Sequence, residues 1–472
     1  MSSTLRLFWE AAGGNVPEHW EFKTIDELLE HPKAISVGVM YPGSDTDGGV
    51  PLIKVSDVKN GAITSRPSFC ISNKVDEEYK RTRLNGSELL LTLVGNPGDC
   101  VIVTDEMCGW NVARALAVIR LKDTQLRSWI RYVLASKPAQ HLIEARLNTT
   151  VQKTLNLKDV REIGIPIPPR EERDSITKVI DSIEKKALLN TQINQTLESI
   201  AQAIFKSWFI DFEPVRAKIA AKQEGKDPEL AAMCAISGKN EEELQQMSED
   251  DFAELQASAA LFPDELVETE LGEVPKGWEI GELKNLIDFN PKRTLKKDSL
   301  ALYLDMKNVP TQGHLVNEVI WRNMSSGTKF INGDTLLARI TPCLENGKTA
   351  YVDFLSNSEV GWGSTEFIVL RPRDPLPVSL GYFLARQDNF RTLAIQSMTG
   401  TSGRQRVNAD NLANQLWLIY PKRLLIEFDK YSGKYLKKAK INGEQNRVLK
   451  SLRDTLLPKL LSGELDATLL KE

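Results

Sequence analysis

The chain has 472 residues, 41% of them hydrophobic, and a formal net charge of −4. This length is too great for one core, so we expect two domains of about 150 residues with helical spacers. No apolar run approaches the roughly 20 residues needed to cross a bilayer, and the first residues lack the basic and apolar order of a signal peptide, so we expect a cytoplasmic protein. The five cysteines include no C-x-x-C pair, which argues against a zinc site and a disulfide framework, and we expect no bound metal.

The first predicted domain, residues 1–169, carries basic and polar residues in segments that we expect to be loops. Arginine and lysine suit guanine edges and phosphate, asparagine and glutamine suit adenine, and small polar residues allow close approach to a DNA backbone. Each such residue alone is more often a solvated surface group, so the prediction depends on recurrence in a second copy. The DNA-binding candidates of this domain are Lys54, Ser56, Lys59, Asn60, Arg81, Arg83, Arg114, Thr149, Thr150, Gln152 and Lys153.

A long helix is predicted for residues 170–212. Alternate steps of four and three residues from Ile176 to Trp208 visit mostly apolar positions, which is the pattern of a coiled-coil seam. Asn190 and Asn194 interrupt this seam. Because seam asparagines lower stability and usually fix the register and orientation of paired helices, we expect these two to set the coiled-coil register.

The acidic residues are concentrated in a predicted linker, residues 213–273. Within it, residues 221–273 contain 15 aspartates and glutamates against three lysines, so this stretch carries −12 and the remainder of the chain carries +8. Its composition, rich in glycine, alanine and serine with short helical patches, leaves two interpretations open. It is either a linker or partner surface that avoids DNA, or a solvated flexible insertion with no specific role.

The second predicted domain, residues 274–421, precedes a second long helix within residues 422–472. The helix repeats the seam from Phe428 to Leu460, with Asn442 and Asn446 at its polar positions. Basic and polar residues again lie in predicted loops of the domain. The DNA-binding candidates here are Lys307, Asn308, Arg339, Thr341, Thr401, Ser402, Arg404, Gln405 and Arg406.

The two helices and the segments before them form an internal repeat. The helix of residues 171–208 aligns without a gap to the helix 252 residues later. In this alignment Asn190 matches Asn442, and Asn194 matches Asn446. Pro169 falls over Pro421 at the same offset, and VPEHWEF at 16–22 matches VPKGWEI at 274–280. A repeated framework with loops of different length indicates two domains that share a fold and recognise different targets. The alternative is two unrelated amphipathic helices that pack on separate cores.

These segments together resemble the DNA-specificity subunit of Type I restriction-modification systems. The resemblance covers nearly the whole chain and rests on IPIPPREERDSITKVIDSIEKK, LNTQINQTLESIAQAIFKSWFIDFEPVRAK, LGEVPKGWEIGELKN and LRDTLLPKLLSGEL. It implies a mixed α/β (α+β) fold with two target-recognition domains, each of which binds one half of a split, asymmetric DNA sequence. It further implies that the long helices form an antiparallel coiled coil with a pseudo-two-fold repeat and dock two adenine methyltransferase subunits.

The same resemblance implies that chemistry resides on partner subunits. S-adenosylmethionine, ATP and magnesium are expected on the methyltransferase and the restriction/translocase subunits, and no cofactor on this chain. The sequence agrees, because NPKR at 290–293 lacks the second proline and aromatic residue of an adenine methyltransferase, and Pro342 replaces the first glycine of a phosphate loop that would end at 347–349. Two alternatives stay open: a DNA-acting enzyme with an unrecognised site, and a coiled-coil architectural or regulatory protein without a methyltransferase partner.

The length of the predicted helices suits a role in spacing. Thirty-eight helical residues with a rise of about 1.5 Å each extend over roughly 57 Å. That length is enough to hold two DNA-contacting domains about one duplex turn, roughly 34 Å, apart. A rigid antiparallel pair would therefore fix the unspecified spacer between two half-sites.

Overall fold

The computed structural model describes residues 2–59, 61–63, 65–147, 153–356, 358–401, 404–466 and 468. The chain forms two compact units, a first unit of Met1–Ala187 with Val448–Glu472 and a second unit of Leu188–Arg447. The boundaries between the units fall inside two long helices, Arg170–Phe209 and Lys422–Leu461, so each helix contributes residues to both. None of the helices in these described ranges is long and apolar enough to cross a membrane.

The first unit contains an antiparallel sheet of four strands. The strand Leu89–Thr92 is buried at every residue, because the sequence LLLT places side chains that avoid water on both faces of the sheet. The strand order is Ile35–Val37, Leu116–Ile119, Leu89–Thr92 and Cys100–Ile102. The other pairings are Glu21–Thr24 with Gly164–Ile167, the three strands Cys70–Ile71, Val50–Ile53 and Asn111–Val112, and Val58–Lys59 with Ala62–Ile63.

Helices and tryptophans complete the core of the first unit. Trp20 and Trp129 pack edge to face at 5.5 Å, and Trp129 donates from its indole nitrogen to the Pro166 carbonyl at 2.7 Å. The same core includes the seam residues Ile176 and Ile180 of the first long helix. The α-helices are Ser2–Ala11, Ile25–Leu28, Asn73–Glu78, Arg127–Ala135, Lys137–Glu144 and Leu157–Arg161. Short 3-10 turns occupy Val55–Asp57, Lys80–Thr82, Asp105–Met107 and Thr124–Leu126.

The second unit contains two sheets of four strands. The first has the order Ile287–Phe289, Phe367–Pro372, Thr335–Ala338 and Thr349–Tyr351, and all its pairs are antiparallel. The second has the order Ile320–Asn323, Leu300–Leu304, Gly361–Gly363 and Thr328–Phe330, with one parallel pair. The remaining pairings are Glu279–Glu282 with Leu416–Ile419, Leu266–Thr269 with Gly272–Pro275, and Met398–Thr399 with Arg406–Val407. The α-helices among these strands are Ser379–Arg386, Asp388–Gln396 and Ala409–Ala413, with 3-10 turns at Leu283–Asn285 and Met306–Asn308.

The acidic segment is a folded helical body within the second unit. Its α-helices are Glu213–Gln223, Pro228–Ser237, Glu241–Gln245 and Glu249–Ala259, and they share a small core of Ala232, Met233, Leu244, Leu255 and Ala259. Ser258 donates to the Glu427 carboxylate at 2.9 Å, and Lys430 donates to Glu254 at 2.7 Å, which attaches the body to the C-terminal helix. The interpretation as a flexible insertion is therefore wrong, since these helices pack on one another and on the unit.

The two units share one architecture, which confirms the internal repeat and the mixed α/β fold. In each unit a strand next to the VPxxW segment pairs with the strand before a long helix: Glu21–Thr24 with Gly164–Ile167, and Glu279–Glu282 with Leu416–Ile419. Each unit has an antiparallel four-stranded sheet and a second sheet with one parallel pair. The alternative of two unrelated amphipathic helices does not explain this correspondence.

The long helices pair antiparallel within each unit. In the second unit Asn190 contacts Asn446 and Asn194 contacts Asn442, so residue numbers rise along one helix as they fall along the other. In the first unit Glu184 pairs with Arg453 at 3.4 Å. Most predicted seam positions are buried, among them Ile176, Ile180, Ala201, Trp208, Phe428, Tyr435, Ala439 and Leu460.

Candidate nucleic-acid interface

Lys54 lies at the start of a 3-10 turn, Val55–Asp57, directly after a buried strand. The Asp57 carboxylate accepts the N–H of Lys54 at 2.8 Å, which closes the turn. The Lys54 ammonium lies 3.4 Å from the centre of the Phe69 ring, a distance that suits a cation–π contact. The charge is thus positioned by the loop itself and lies beside the exposed Ser56.

Several candidates of the first unit present exposed side chains on a fixed backbone. The Arg81 carbonyl accepts from the Arg120 guanidinium at 2.8 Å, and the Arg114 N–H donates to the Val39 carbonyl at 2.9 Å. Such backbone bonds orient a loop while its side chains remain exposed to solvent. The exposed candidates are Ser56, Arg81, Arg114 and Lys153, and Lys59 ends the strand Val58–Lys59. Asn60, Thr149, Thr150 and Gln152 lie outside the described residues.

Arg83 is held by carboxylates of its own unit. Its guanidinium donates through Nε to the buried Asp76 at 2.8 Å and also contacts Glu77 at 3.0 Å. Asn111 donates to the same Asp76 carboxylate at 2.9 Å, and Thr82 donates to Asn111 at 2.7 Å. This network fixes the loop that presents Arg81. The sequence did not reveal it, because the carboxylate and the amide are 35 residues apart.

In the second unit the structure brings together four of the predicted residues around a short strand pairing. Thr341 donates to the Gln405 carbonyl through both its N–H, at 3.1 Å, and its hydroxyl, at 3.2 Å. The Val407 N–H donates to the Arg339 carbonyl at 2.9 Å, and a bridge links Ile340 with Arg406. Residues from two predicted loops therefore form one surface cluster, which we call the Arg406 cluster.

Glu366 is the member of the Arg406 cluster that the sequence analysis missed. Its carboxylate accepts from Arg406 Nε at 2.9 and 3.0 Å and from a terminal nitrogen at 2.8 Å. These hydrogen bonds, with a smaller contribution from Arg339, hold the pKa of Glu366 below its usual range. Arg406 keeps 44% of its side chain exposed, so its guanidinium is both oriented and accessible.

Arg339 is the most enclosed basic residue of the Arg406 cluster. Its Nε atom is buried and lacks a hydrogen-bond partner among the described residues. The Arg339 N–H donates to the Glu366 carbonyl at 2.9 Å, which ties the backbone of both residues together. A buried donor without a partner is costly unless an acceptor is supplied, so this guanidinium is suited to receive one.

The other candidates of the second unit lie on two turns, one with Lys307 and Asn308 and one with Thr401 and Arg404. Lys307 is exposed on the turn Met306–Asn308, where its N–H donates to the Asp305 carboxylate at 3.0 Å. Arg404 is exposed, and its N–H donates to the Thr401 carbonyl at 3.0 Å. Ser402 lies outside the described residues.

The Arg406 cluster has a counterpart in the first unit that differs in chemistry. There the Leu155 N–H donates to the Leu93 carbonyl at 2.8 Å, and a bridge links Val94 with Thr154. The backbone bond is the same as the one from Val407 to Arg339, but the side chain at the accepting position is leucine instead of arginine. Because Leu93 is buried, the accessible difference lies at the bridge, where Thr154 stands in the first unit and Arg406 in the second. The same framework therefore presents different side chains in the two units.

The chemistry available at these surfaces is that of binding. The described part of the chain contains no group of three or more histidines, cysteines, aspartates or glutamates that could hold a metal ion. Exposed lysines and arginines suit phosphate oxygens, and an arginine fixed by a carboxylate presents its remaining donors in a defined plane. These side chains, on loops held by backbone hydrogen bonds, are of the type that suits an anionic polymer.

The seam asparagines form a polar layer between the long helices. Asn190 donates to Gln445 at 2.8 Å and to Asn446 at 2.9 Å, and Asn442 donates to Asn194 at 2.7 Å. Asn194 donates in turn to a backbone carbonyl at 3.2 Å. Asn190 and Asn442 are buried, with 1% and 2% exposure. A one-heptad slip in either direction would leave the buried Asn442 opposite an alanine, Ala187 or Ala201, so the layer favours one register.

Acidic residues of the first long helix accept hydrogen bonds from other helices of the same unit. In the first unit Glu184 accepts from Arg131 at 2.5 Å, and in the second unit Glu198 accepts from the hydroxyls of Tyr435, at 2.8 Å, and Tyr382. Burial raises the pKa of the Tyr382 hydroxyl well above its usual value, so it stays protonated as the donor. These contacts were missed in the sequence because their partners are 53 or more residues away.

Comparison with known proteins assigns these features to a characterised group. A family model described as the Type I restriction modification DNA specificity domain matches residues 17–199. The specificity subunit of the Type I restriction enzyme HindI from Haemophilus influenzae is 31% identical over 339 residues, which cover 69% of this chain and 73% of that protein. The MjaIX specificity subunit from Methanocaldococcus jannaschii is 22% identical over 476 residues, covering 97% of this chain and 96% of that protein.

A solved structure has the same fold over most of the chain. The S subunit of a Type-I restriction-modification system from M. genitalium covers 94% of this chain and 96% of its own, with a TM-score of 0.50. Its sequence identity is 14%, so the likeness concerns the fold alone.

Proposed function

Because this chain belongs to the family of Type I restriction enzyme specificity subunits, we propose that it selects the DNA sequence on which such an enzyme acts. It is a non-catalytic subunit, and catalysis takes place on methyltransferase and restriction subunits of the complex. Family membership disfavours both the unrecognised enzyme and the architectural protein without a methyltransferase partner. A cytoplasmic location belongs to the same proposal, since cellular DNA lies there in the bacteria and archaea that carry the relatives.

The observation that carries the proposal is one architecture built twice with different loops. Each unit positions a loop on equivalent backbone bonds, yet the bridging residue is Thr154 in the first unit and the exposed Arg406 in the second. We propose that the two recognition domains, residues 1–169 and 274–421, each contact one half of a bipartite target. Because their loops differ, the target is asymmetric.

The surroundings of each candidate residue indicate whether it contacts a phosphate or a base. Exposed basic residues without a fixed partner in the contacts described above suit phosphates, which contribute affinity without sequence information. Arg406, oriented by Glu366, suits a base edge, because a defined plane is needed for a bidentate contact with guanine. The residues proposed to contact phosphate are Arg81, Arg114, Lys153, Lys307 and Arg404.

The partners proposed for the assembly are double-stranded DNA, two adenine methyltransferase subunits and restriction/translocase subunits. Two copies of the methyltransferase suit a helix pair with an internal repeat, because each repeat offers an equivalent surface. The Asn190–Asn446 and Asn194–Asn442 contacts are one example of this equivalence. S-adenosylmethionine, ATP and magnesium are proposed to bind those partners, and none of them to bind this chain. The long helices and their asparagine layer are proposed to set the spacer between half-sites.

A genome-wide map of methylated adenines tests the function. The map is compared among cells with the gene, cells without it, and deleted cells that carry the gene on a plasmid. Loss of methylation from one split, asymmetric motif, with recovery on complementation, is the expected result. If every motif stays methylated in deleted cells that express the methyltransferase subunit, the proposal fails.

Matched insertions test the proposed spacing role. One heptad added to each long helix, near Asn190 and near Asn446, lengthens the pair by about 10 Å and should lengthen the spacer by about three base pairs. Both half-sites should stay the same in the methylation map. An altered half-site with an unchanged spacer would contradict the spacing role while leaving the recognition role intact.

A further inference from the structure

The second unit contains an open apolar groove of about 510 Å³, and none of the DNA-binding candidates lines it. The end of the first long helix lines one side, the hairpin of Leu266–Thr269 and Gly272–Pro275 a second side, and helix Asp388–Gln396 with strand Leu416–Ile419 the rest. Leu271 and Leu416 line the groove and are 42% and 38% exposed. Exposed leucines that converge on a concavity mark a surface that another apolar group can cover.

The corresponding face of the first unit is covered by a helix of the chain itself. Helix Ser2–Ala11 packs on strands Glu21–Thr24 and Gly164–Ile167 and on helix Lys137–Glu144. The counterparts of these three elements in the second unit include strand Leu416–Ile419 and helix Asp388–Gln396, which line the groove. The internal repeat therefore shows what kind of element fits this face.

Two side chains of that covering helix provide the apolar contact. Leu5 lies against Gly164, where an added Cβ would be 3.2 Å from the leucine side chain. Trp9, four residues later and on the same helix face, is 2% exposed. By strand pairing Gly164 corresponds to Leu416, since the former pairs with Thr24 and the latter with Glu282. The position that receives Leu5 in the first unit is thus an exposed leucine in the second.

The hairpin of the second unit replaces part of the missing helix, through strand pairing and through Leu266 and Val267, which pack on the core. In the first unit Arg6 donates to the carbonyls of Val16 and Trp20 at 3.2 and 2.8 Å. In the second unit Val267 of the hairpin pairs with Val274, the counterpart of Val16. Backbone polar groups are therefore satisfied by strand pairing, while the apolar face that Leu5 and Trp9 would cover stays open.

We propose that this groove binds an amphipathic helix of a partner protein that carries large apolar side chains four residues apart and a basic flank. The apolar requirement follows from the covering helix of the first unit. The basic flank follows from the rim, because Glu268 and Glu270 are exposed on the hairpin beside Glu273, which itself pairs with Arg216 at 3.1 Å. The proposal does not depend on DNA recognition, so either can fail without the other.

A labelled peptide with the sequence of residues 2–12 followed by three lysines that supply the basic flank, SSTLRLFWEAAKKK, serves as the probe. Its binding to the full chain is measured by fluorescence anisotropy. Leu271→Glu and Leu416→Glu should each weaken binding by about tenfold or more, because a charge replaces the apolar contact. Leu300→Glu, at a 62% exposed leucine that does not line the groove, is the matched control and should bind as the unaltered chain does. A peptide with alanine in place of its leucine and tryptophan anchors should not bind.

Three results would overturn the proposal. The first is absence of peptide binding to the full chain, and the second is binding that the two groove substitutions leave unchanged. The third comes from sedimentation of the chain alone: self-association that Leu271→Glu abolishes would assign the groove to a second copy of this chain instead of a partner. Circular dichroism of each variant shows that a loss of binding does not reflect a loss of folding.

Discussion

Replacement of Asn190 measures how much the polar layer contributes to stability. Asn190 is 1% exposed, and its amide donates to Gln445 and Asn446 at 2.8 and 2.9 Å. A hydrogen bond contributes about 0.5–1.5 kcal/mol net, so Asn190→Ala should lower the free energy of unfolding by about 1–3 kcal/mol. Gln445 is exposed and its carbonyl is rehydrated, which places the loss toward the lower end of that range.

A double leucine variant separates the contribution of the asparagines to stability from their contribution to helix register. Asn190→Leu combined with Asn446→Leu replaces both partners by apolar side chains, and such paired replacements are close to neutral or stabilising. We therefore expect the double variant to recover most of the stability that Asn190→Ala loses, while the spacer in its methylation map becomes mixed, because leucines specify register less strictly.

Urea unfolding followed by tryptophan fluorescence gives the free energies, and Gln192→Ala, an exposed position on the same helix, is the matched control. The reasoning is refuted if Asn190→Ala unfolds at the same midpoint as Gln192→Ala. A double leucine variant that keeps one defined spacer would show that the Asn190–Asn446 contact is not needed for register, and Asn194→Leu with Asn442→Leu added to it should then make the spacer mixed if the layer as a whole sets the register.

Three further predictions concern the recognition surface and the thiols. Arg404→Ala should weaken DNA binding and reduce the slope of log affinity against log salt by about one, whereas an unchanged slope with relaxed sequence preference would assign Arg404 to a base. Arg406 lowers the pKa of Glu366, so the stability from this pair is present above the ordinary carboxyl pKa and is lost as pH falls through the lowered value. Thermal melts at a series of pH values should show this acid dependence, and Glu366→Gln should remove it. Burial raises the pKa of the Cys100 thiol to about 12, whereas Cys108 is exposed, so iodoacetamide at neutral pH should label Cys108 and spare Cys100 by mass spectrometry.

The sequence predicted the long helices and their seam because that information is local. A seam is a periodicity within about 40 consecutive residues, and Asn190 with Asn194 stands out against it without any knowledge of the partner. The ungapped offset then placed Asn442 and Asn446 on the second helix. Antiparallel pairing followed from the resemblance, and the structure confirms it.

The sequence did not predict which charged residues pair with each other. Glu366 lies 40 residues before Arg406, and Asp76 meets Arg83 only because a short helix and a turn bring them together. Such pairs depend on the path of the loops, which hydrophobic periodicity does not determine. The candidates Arg83 and Arg406 therefore looked like Arg81 in the sequence, although their surroundings differ.

For the acidic segment, amino-acid composition predicted the charge but not the fold. Its charge was correctly located, but its helices and core depend on a few apolar residues, such as Met233, Leu244 and Leu255, spread over short helices. No single helix there is long enough to give a strong periodic signal. The fold of the segment comes from packing among helices, which the balance of charges does not reveal.

The crosswise contacts of the asparagines bear on how such a chain can originate. Asn190 meets Asn446, the counterpart of Asn194, and Asn194 meets Asn442, the counterpart of Asn190. A helix that carries both asparagines is therefore complementary to an antiparallel copy of itself. A gene for one half would yield a product able to associate through this layer, and fusion of two such genes would keep the contact while allowing each recognition domain to diverge.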